Sequence, residues 1–251
     1  MQPSDFSVQL REGTEARSAL VILGAPGLGL VGAIATRYLV NQLKMQLVGG
    51  VYSTRLPPTV GVRGGGIVPQ IGIYATEPRG RFGFDAERLV VIHTEAELPE
   101  EWLQELAHAL AAWAKGSKCK ILAVVDGILV PDESSDDVVL AVATLPEGAR
   151  ALEQLGVSAL AAGTVGGIAG ALLQAGTRAG LNVVALLAET KPTHPDAGAA
   201  ARIVQILDGM VPAIKIEIEP LLKEAELIEA KVREAQSKAS ARSVRTDTMY
   251  R

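Results

Sequence analysis

A single α/β domain, with a mixed or mostly parallel sheet flanked by helices, is the fold the sequence predicts, and three observations carry it. Hydrophobic residues make up 48% of the chain but aromatics only 4%. With Gly, Ala, Val, Leu and Ile abundant, that composition suits buried strands packed under alanine-rich helices. Short apolar runs bounded by Gly and Pro alternate with helical periodicity at βαβ spacing. At 251 residues and a mean hydropathy of +0.25, the chain can bury a sizeable core, which excludes a disordered protein.

The elements follow in order. An apolar run predicts a strand over 19–24, closed by Gly24 and Pro26, and a helix over about 28–43. A strand over 46–53 comes next, then a loop over 54–69 rich in Pro and Gly, and a strand over 70–76. Strands over 88–94 and 120–127 bracket a helix over about 99–115. A strand over 138–144 precedes a short helix over 147–155, a helix through 166–180 and a strand over 181–189. Pro192 and Pro195 break the chain before a helix over about 196–210. Residues 1–216 are assigned to this domain.

The remainder differs in kind. Ile218, Leu221, Ala225, Ile228, Val232, Ala235 and Ala239 step by three and four, which predicts a heptad helix over 217–239. Pro220 fits its first turn, and Glu219 with Lys223 and Glu229 with Arg233 supply helix-supporting pairs. Such a seam packs on its own domain or self-associates, and its alanines leave both readings open. From Ser240 the periodicity stops, and residues 240–251 read as a flexible arm.

Charge and cysteine usage narrow the function classes. The net charge is -4. The last fifteen residues carry Lys238, Arg242, Arg245 and Arg251 against Asp247, so the body is the acidic part, which argues against a nucleic-acid-binding body. Cys119 is the single cysteine and has no partner for an internal disulfide, so a reduced, cytoplasmic compartment is expected. The uncharged stretches 18–36 and 155–177 are long enough to span a bilayer. Pro26 and the glycines within them point instead to buried strand-turn-helix units, and no membrane partner is expected. The polar N-terminus is not read as a secretory leader.

Gly27, Gly29 and Gly32 form a G-x-G-x-x-G after a strand and at a helix start, where free N–H groups could hold a pyrophosphate. The acidic residue that grips a ribose is missing from the end of the second strand, where Tyr52, Ser53, Thr54 and Arg55 stand. The competing reading is a tight turn after Pro26 with close helix-on-sheet packing. Asp126, Glu95 and Glu97 follow strands and could form an acid-base carboxylate pair, though such residues are also common turn formers. His93, His108 and His194 are scattered without metal-ligand spacing. The acidic run 131–137 lacks the glycine and final glutamate of a calcium loop and reads as a solvated loop. The small residues of GTVGGIAG suit close approach of a helix to a neighbour.

Three motifs, GAPGLGLVGAIATRYLV, GTVGGIAGALL and AETKPTHPDAGAAARIVQIL, resemble in order and spacing the proteasome assembly chaperone family, in its archaeal and bacterial members. The resemblance covers about residues 20–210. It implies a nucleoside phosphorylase-like α/β domain and a homo-oligomer without catalytic residues, cofactor or metal. It also implies docking of a C-terminal hydrophobic-Tyr-any tripeptide on the 20S proteasome α-subunits. Met249, Tyr250 and Arg251 match that tripeptide. The expectation is an ATP-independent, non-enzymatic proteasome-binding protein that assists α-ring assembly or opens the gate of the core particle. The alternatives are a nucleotide- or nucleoside-binding enzyme using the Gly27–Gly32 loop, and an oligomeric scaffold.

Overall fold

Eleven strands, five α-helices and the start of a sixth helix are defined among the described residues of the computed structural model, which are 5–77, 82–129, 138–190, 195–212 and 214–223. In chain order they are β1 (Ser7–Leu10), β2 (Ala19–Gly24), α1 (Val31–Gln42), β3 (Gln46–Tyr52), β4 (Gly61–Arg63), β5 (Gly66–Val68), β6 (Ile71–Ala75) and β7 (Arg88–Thr94). They continue with α2 (Glu100–Gly116), β8 (Ile121–Ile128), β9 (Val139–Ala143), α3 (Pro146–Gln154), β10 (Ser158–Ala159), α4 (Gly167–Ala179), β11 (Val183–Glu189) and α5 (Ala197–Met210).

Nine strands form one sheet in the order β1-β3-β6-β7-β2-β8-β11-β9-β10. Its centre, β7-β2-β8-β11, is parallel, whereas β1-β3-β6-β7 and β11-β9 are antiparallel, so the sheet is mixed. The centre is buried on both faces, and every residue of β2 is inaccessible. That is why ALVILG reads as a continuous apolar run without alternation. Successive residues still part company: Leu20 and Ile22 join the core under α1, α3 and α5, while Val21 and Leu23 join the core under α2 and α4. Two hydrophobic cores therefore share one sheet. Alanine supplies much of the helix faces, as at Ala199, Ala200 and Ala201 of α5, so helices lie close on the strands and bulky aromatics are unnecessary.

Every predicted helix and strand of the body is present. Three elements escaped the reading: the edge strand β1, the short β10, and the hairpin β4–β5 inside what the sequence presents as a loop over 54–69. Gly64 and Gly65 turn this hairpin with φ of 55° and 78°, the double positive φ of a type I′ turn. Its strands are three residues each and glycine-rich, too short for the alternation that reveals a strand.

A helix begins at Glu219 with Pro220 in its first turn. Leu221 is buried and Ile218 packs on the core beside α1, and the Tyr38 hydroxyl donates to the Glu217 carbonyl. The first turn of the predicted heptad helix thus packs on its own domain. The rest of the seam and the arm 240–251 lie outside the described residues, as do the acidic run 131–137 and His194.

Candidate functional site

At the C-terminal edge of the parallel strands, where open α/β sheets hold ligands, the glycine turn leaves β2 and enters α1 through a 3₁₀ turn over Leu28–Leu30. Gly29 and Leu30 are both left-handed, with φ of 60° and 53°. Each glycine of the motif has a neighbour where a side chain would stand. A Cβ on Gly27 would lie 2.2 Å from Asp126 Oδ1, on Gly29 2.3 Å from Thr190 Oγ1, and on Gly32 2.4 Å from the Val125 carbonyl. Gly24 and Gly127 complete the contact, facing the backbone of Gly32 and Leu28. The loop is therefore packed against β8 and β11 by atoms of the chain itself, which favours the turn-and-packing reading of these glycines.

Hydrogen bonds hold the same segments together. Asp196 caps α5 by accepting from the Ala199 N–H at 2.8 Å, and it accepts from the Thr190 hydroxyl at 2.8 Å. Its own N–H donates to the Gly29 carbonyl at 2.8 Å. The turn after β2, the end of β11 and the start of α5 are thereby fixed to one another.

Asp126 ends the buried part of β8 and is 9% exposed. Oδ1 accepts from the Gly127 N–H at 2.8 Å. Burial pushes its carboxyl up to about 6, opposed in part by that hydrogen bond. An anion laid over the glycine turn would meet this carboxyl, unlike the bare helix N-terminus of a dinucleotide site.

Two strands away, at the end of β7, His93 is buried. Its Nδ1 lies 2.9 Å from Thr36 Oγ1, and the Thr36 hydroxyl donates to the Gly32 carbonyl at 2.8 Å. His93 Nε2 lies 3.6 Å from Glu95 Oε1, and Arg37 and Arg63 approach the same oxygen at 3.6 Å. Burial lowers the histidine below its ordinary pKa, with Glu95 opposing.

The structure thus does not bring Glu95 and Asp126 together. The intervening strand β2 separates them by about 10 Å at ordinary strand spacing, and Glu95 is engaged by arginines instead. Glu97 is exposed and His108 half-buried on α2. Arg55 is held by Asp5 at 3.1 Å and Glu105 at 2.9 Å. Cys119 donates to the Ala16 carbonyl at 3.3 Å, and burial pushes its thiol up to about 11, which keeps it protonated and unreactive. Among the described residues no three His, Cys, Asp or Glu side chains are grouped to hold a metal ion, and no helix is long and apolar enough to cross a membrane. Stretch 18–36 is β2, the turn and α1, and 155–177 runs from the end of α3 through β10 into α4. Met249, Tyr250 and Arg251 lie outside the described residues.

Thr36 and Thr190 were missed, because a threonine in an apolar stretch gives no sign of its partner. Asp196 carried a legible signal, an acidic residue directly before a helical run.

Comparison with known proteins extends this picture. Residues 21–236 match the PAC2 family. The chain is similar to Pyrococcus furiosus PbaA, an archaeal homolog of proteasome-assembly chaperone, with a TM-score of 0.80 and 31% identity over 98% of this chain and 99% of that one. Pyrococcus furiosus PbaB, an archaeal proteasome activator, shares the fold at 20% identity, with a TM-score of 0.77 over 93% of this chain and 100% of that one. An uncharacterised protein of Methanocaldococcus jannaschii is 26% identical over 220 residues, 88% of this chain and 86% of the relative. With the family pattern spanning both cores and the whole glycine-turn edge, this chain belongs to the PAC2 family.

Proposed function

We propose that this chain is an ATP-independent, non-enzymatic protein of the cytoplasm that binds the 20S proteasome through Met249, Tyr250 and Arg251, and assists α-ring assembly or opens the gate of the core particle. The observation that carries the reading is the coincidence of that tripeptide with a PAC2 domain whose relatives include a proteasome-assembly chaperone homolog and a proteasome activator. Tyr250 supplies a flat apolar body with a hydroxyl and Met249 an adaptable apolar contact. A carboxylate directly after Arg251 would pair with a lysine between adjacent α-subunits. Twelve residues, if extended, would reach on the order of 40 Å, and several such arms on one homo-oligomer would add avidity. The packed glycine turn, with Asp126 against it, supports a structural rather than nucleotide-binding role for Gly27 to Gly32.

The test is capture of purified 20S core particles with stimulation of peptide hydrolysis. Tyr250→Ala should cost on the order of 2 kcal/mol per docked arm. One residue added after Arg251 keeps every side chain but displaces the carboxylate, and should abolish capture. Normal capture and stimulation by the extended protein would refute docking.

A further inference from the structure

On the face of the sheet that carries α1, the hairpin β4–β5 and the end of that helix border an open cleft of ≈ 450 Å³, within the range of small-ligand sites. Its floor is apolar, built from Met45, Val68 and the ring of Tyr74. Met45 and Tyr74 are 8% and 5% exposed, so the floor is held by the core. Arg11, Lys44 and Arg63 line the same cleft, and no carboxylate does. Arg63 is shared with Asn41 at 3.5 Å and Glu95 at 3.6 Å. The side chains of Arg11 and Lys44 pair with nothing among the described residues.

A cleft lined by one sign of charge over low-dielectric walls concentrates counter-ions. A guanidinium fork presents parallel donors to a carboxylate or phosphate. We propose that this cleft binds a small soluble amphipathic anion, its aliphatic body against Met45, Val68 and Tyr74 and its oxyanion head among Arg11, Lys44 and Arg63. The charge selects the head and the floor selects the body, so a neutral molecule of the same length keeps half of the contacts. The occupant is one free molecule, because the volume matches a single small ligand.

Calorimetric titration of the full chain with octanoate, octyl phosphate and octanol tests the assignment. Both anions should bind, with octanol at least about tenfold weaker, a difference of about 1.4 kcal/mol. Arg11→Gln with Lys44→Gln should weaken the anions by a similar factor at unchanged melting temperature, since both side chains are exposed. Should the double variant melt early, Lys44→Gln alone gives the comparison. Arg178→Gln, on α4 across the sheet, should bind as the parent does. Absence of anion binding at millimolar concentration would overturn the proposal. So would octanol equal to the anions, indifference to the cleft substitutions, or binding confined to phosphatidylglycerol vesicles.

Discussion

Asp126 is a carboxyl group surrounded by strand backbone and glycine, with one hydrogen bond to offset its burial. A folded-state pKa of about 6 lies above the ordinary 3.8. The proton is therefore bound more tightly in the folded chain, and this contribution to stability is complete below pH 4 and lost as pH rises through 6. Ionised at neutral pH, the group costs at most about 3 kcal/mol. Asp126→Asn keeps the acceptor for Gly127 and removes the charge. It should raise the melting temperature at pH 8 and leave it nearly unchanged at pH 4, and an equal shift at both would refute the account. His93 runs the other way. Its pKa is lowered, so its contribution is present above pH 6.5 and lost on acidification through the folded value. Its ring resonances in an NMR titration should move at a pH below the ordinary 6.5. Gly29→Ala meets two penalties, a left-handed φ and a contact with Thr190. A loss of about 2 kcal/mol or more is expected in urea unfolding.

The hairpin β4–β5 shows how an element can depend on its turn. Both turn glycines have positive φ and open space around them, so the constraint there is backbone conformation alone. Gly64→Asn should be tolerated within about 0.5 kcal/mol, because Asn enters the left-handed region readily, whereas Gly64→Val should cost more than 1 kcal/mol. Denaturant unfolding distinguishes the two. The hairpin's base is pinned by the Gln70 side chain, whose Nε2 donates to the Pro57 carbonyl at 2.8 Å, to the Thr59 carbonyl at 3.1 Å and to the Thr59 hydroxyl. Gln70→Ala should release residues 57–59 and speed amide exchange there with little change in global stability, since these groups are at the surface. At this scale the sequence was most readable in β2, β8 and β11, whose apolar runs reflect burial on both faces. It was least readable in β1, β10 and the hairpin, which are short and edge-placed or detached from the main sheet.

For the whole molecule, the two cores on one sheet draw on described residues from Phe6 to Leu221. Deleting Met249, Tyr250 and Arg251 should leave the melting temperature and oligomeric state unchanged while removing proteasome capture. The proposed homo-oligomer is expected to contain about three to five subunits, closed by symmetry. A light-scattering mass equal to one subunit at micromolar concentration would overturn that expectation and with it the avidity of the arms.

The sequence by itself determined the α/β class and the order of the body's helices and long strands, because burial leaves periodic and compositional traces, and it left the glycines after Pro26 open between a packed turn and a phosphate site. The docking role proposed for Met249, Tyr250 and Arg251 rests on their adjacency in the sequence alone. What tertiary structure decided was which segments meet. Gly27 against Asp126, Gly29 against Thr190, His93 against Thr36, Glu95 turned to arginines and away from Asp126, and the cationic cleft under the hairpin all join residues far apart in the chain. Such contacts depend on strand order, which reverses and skips within this mixed sheet, and strand order is fixed by the packing of both cores together, beyond the reach of any local run of residues.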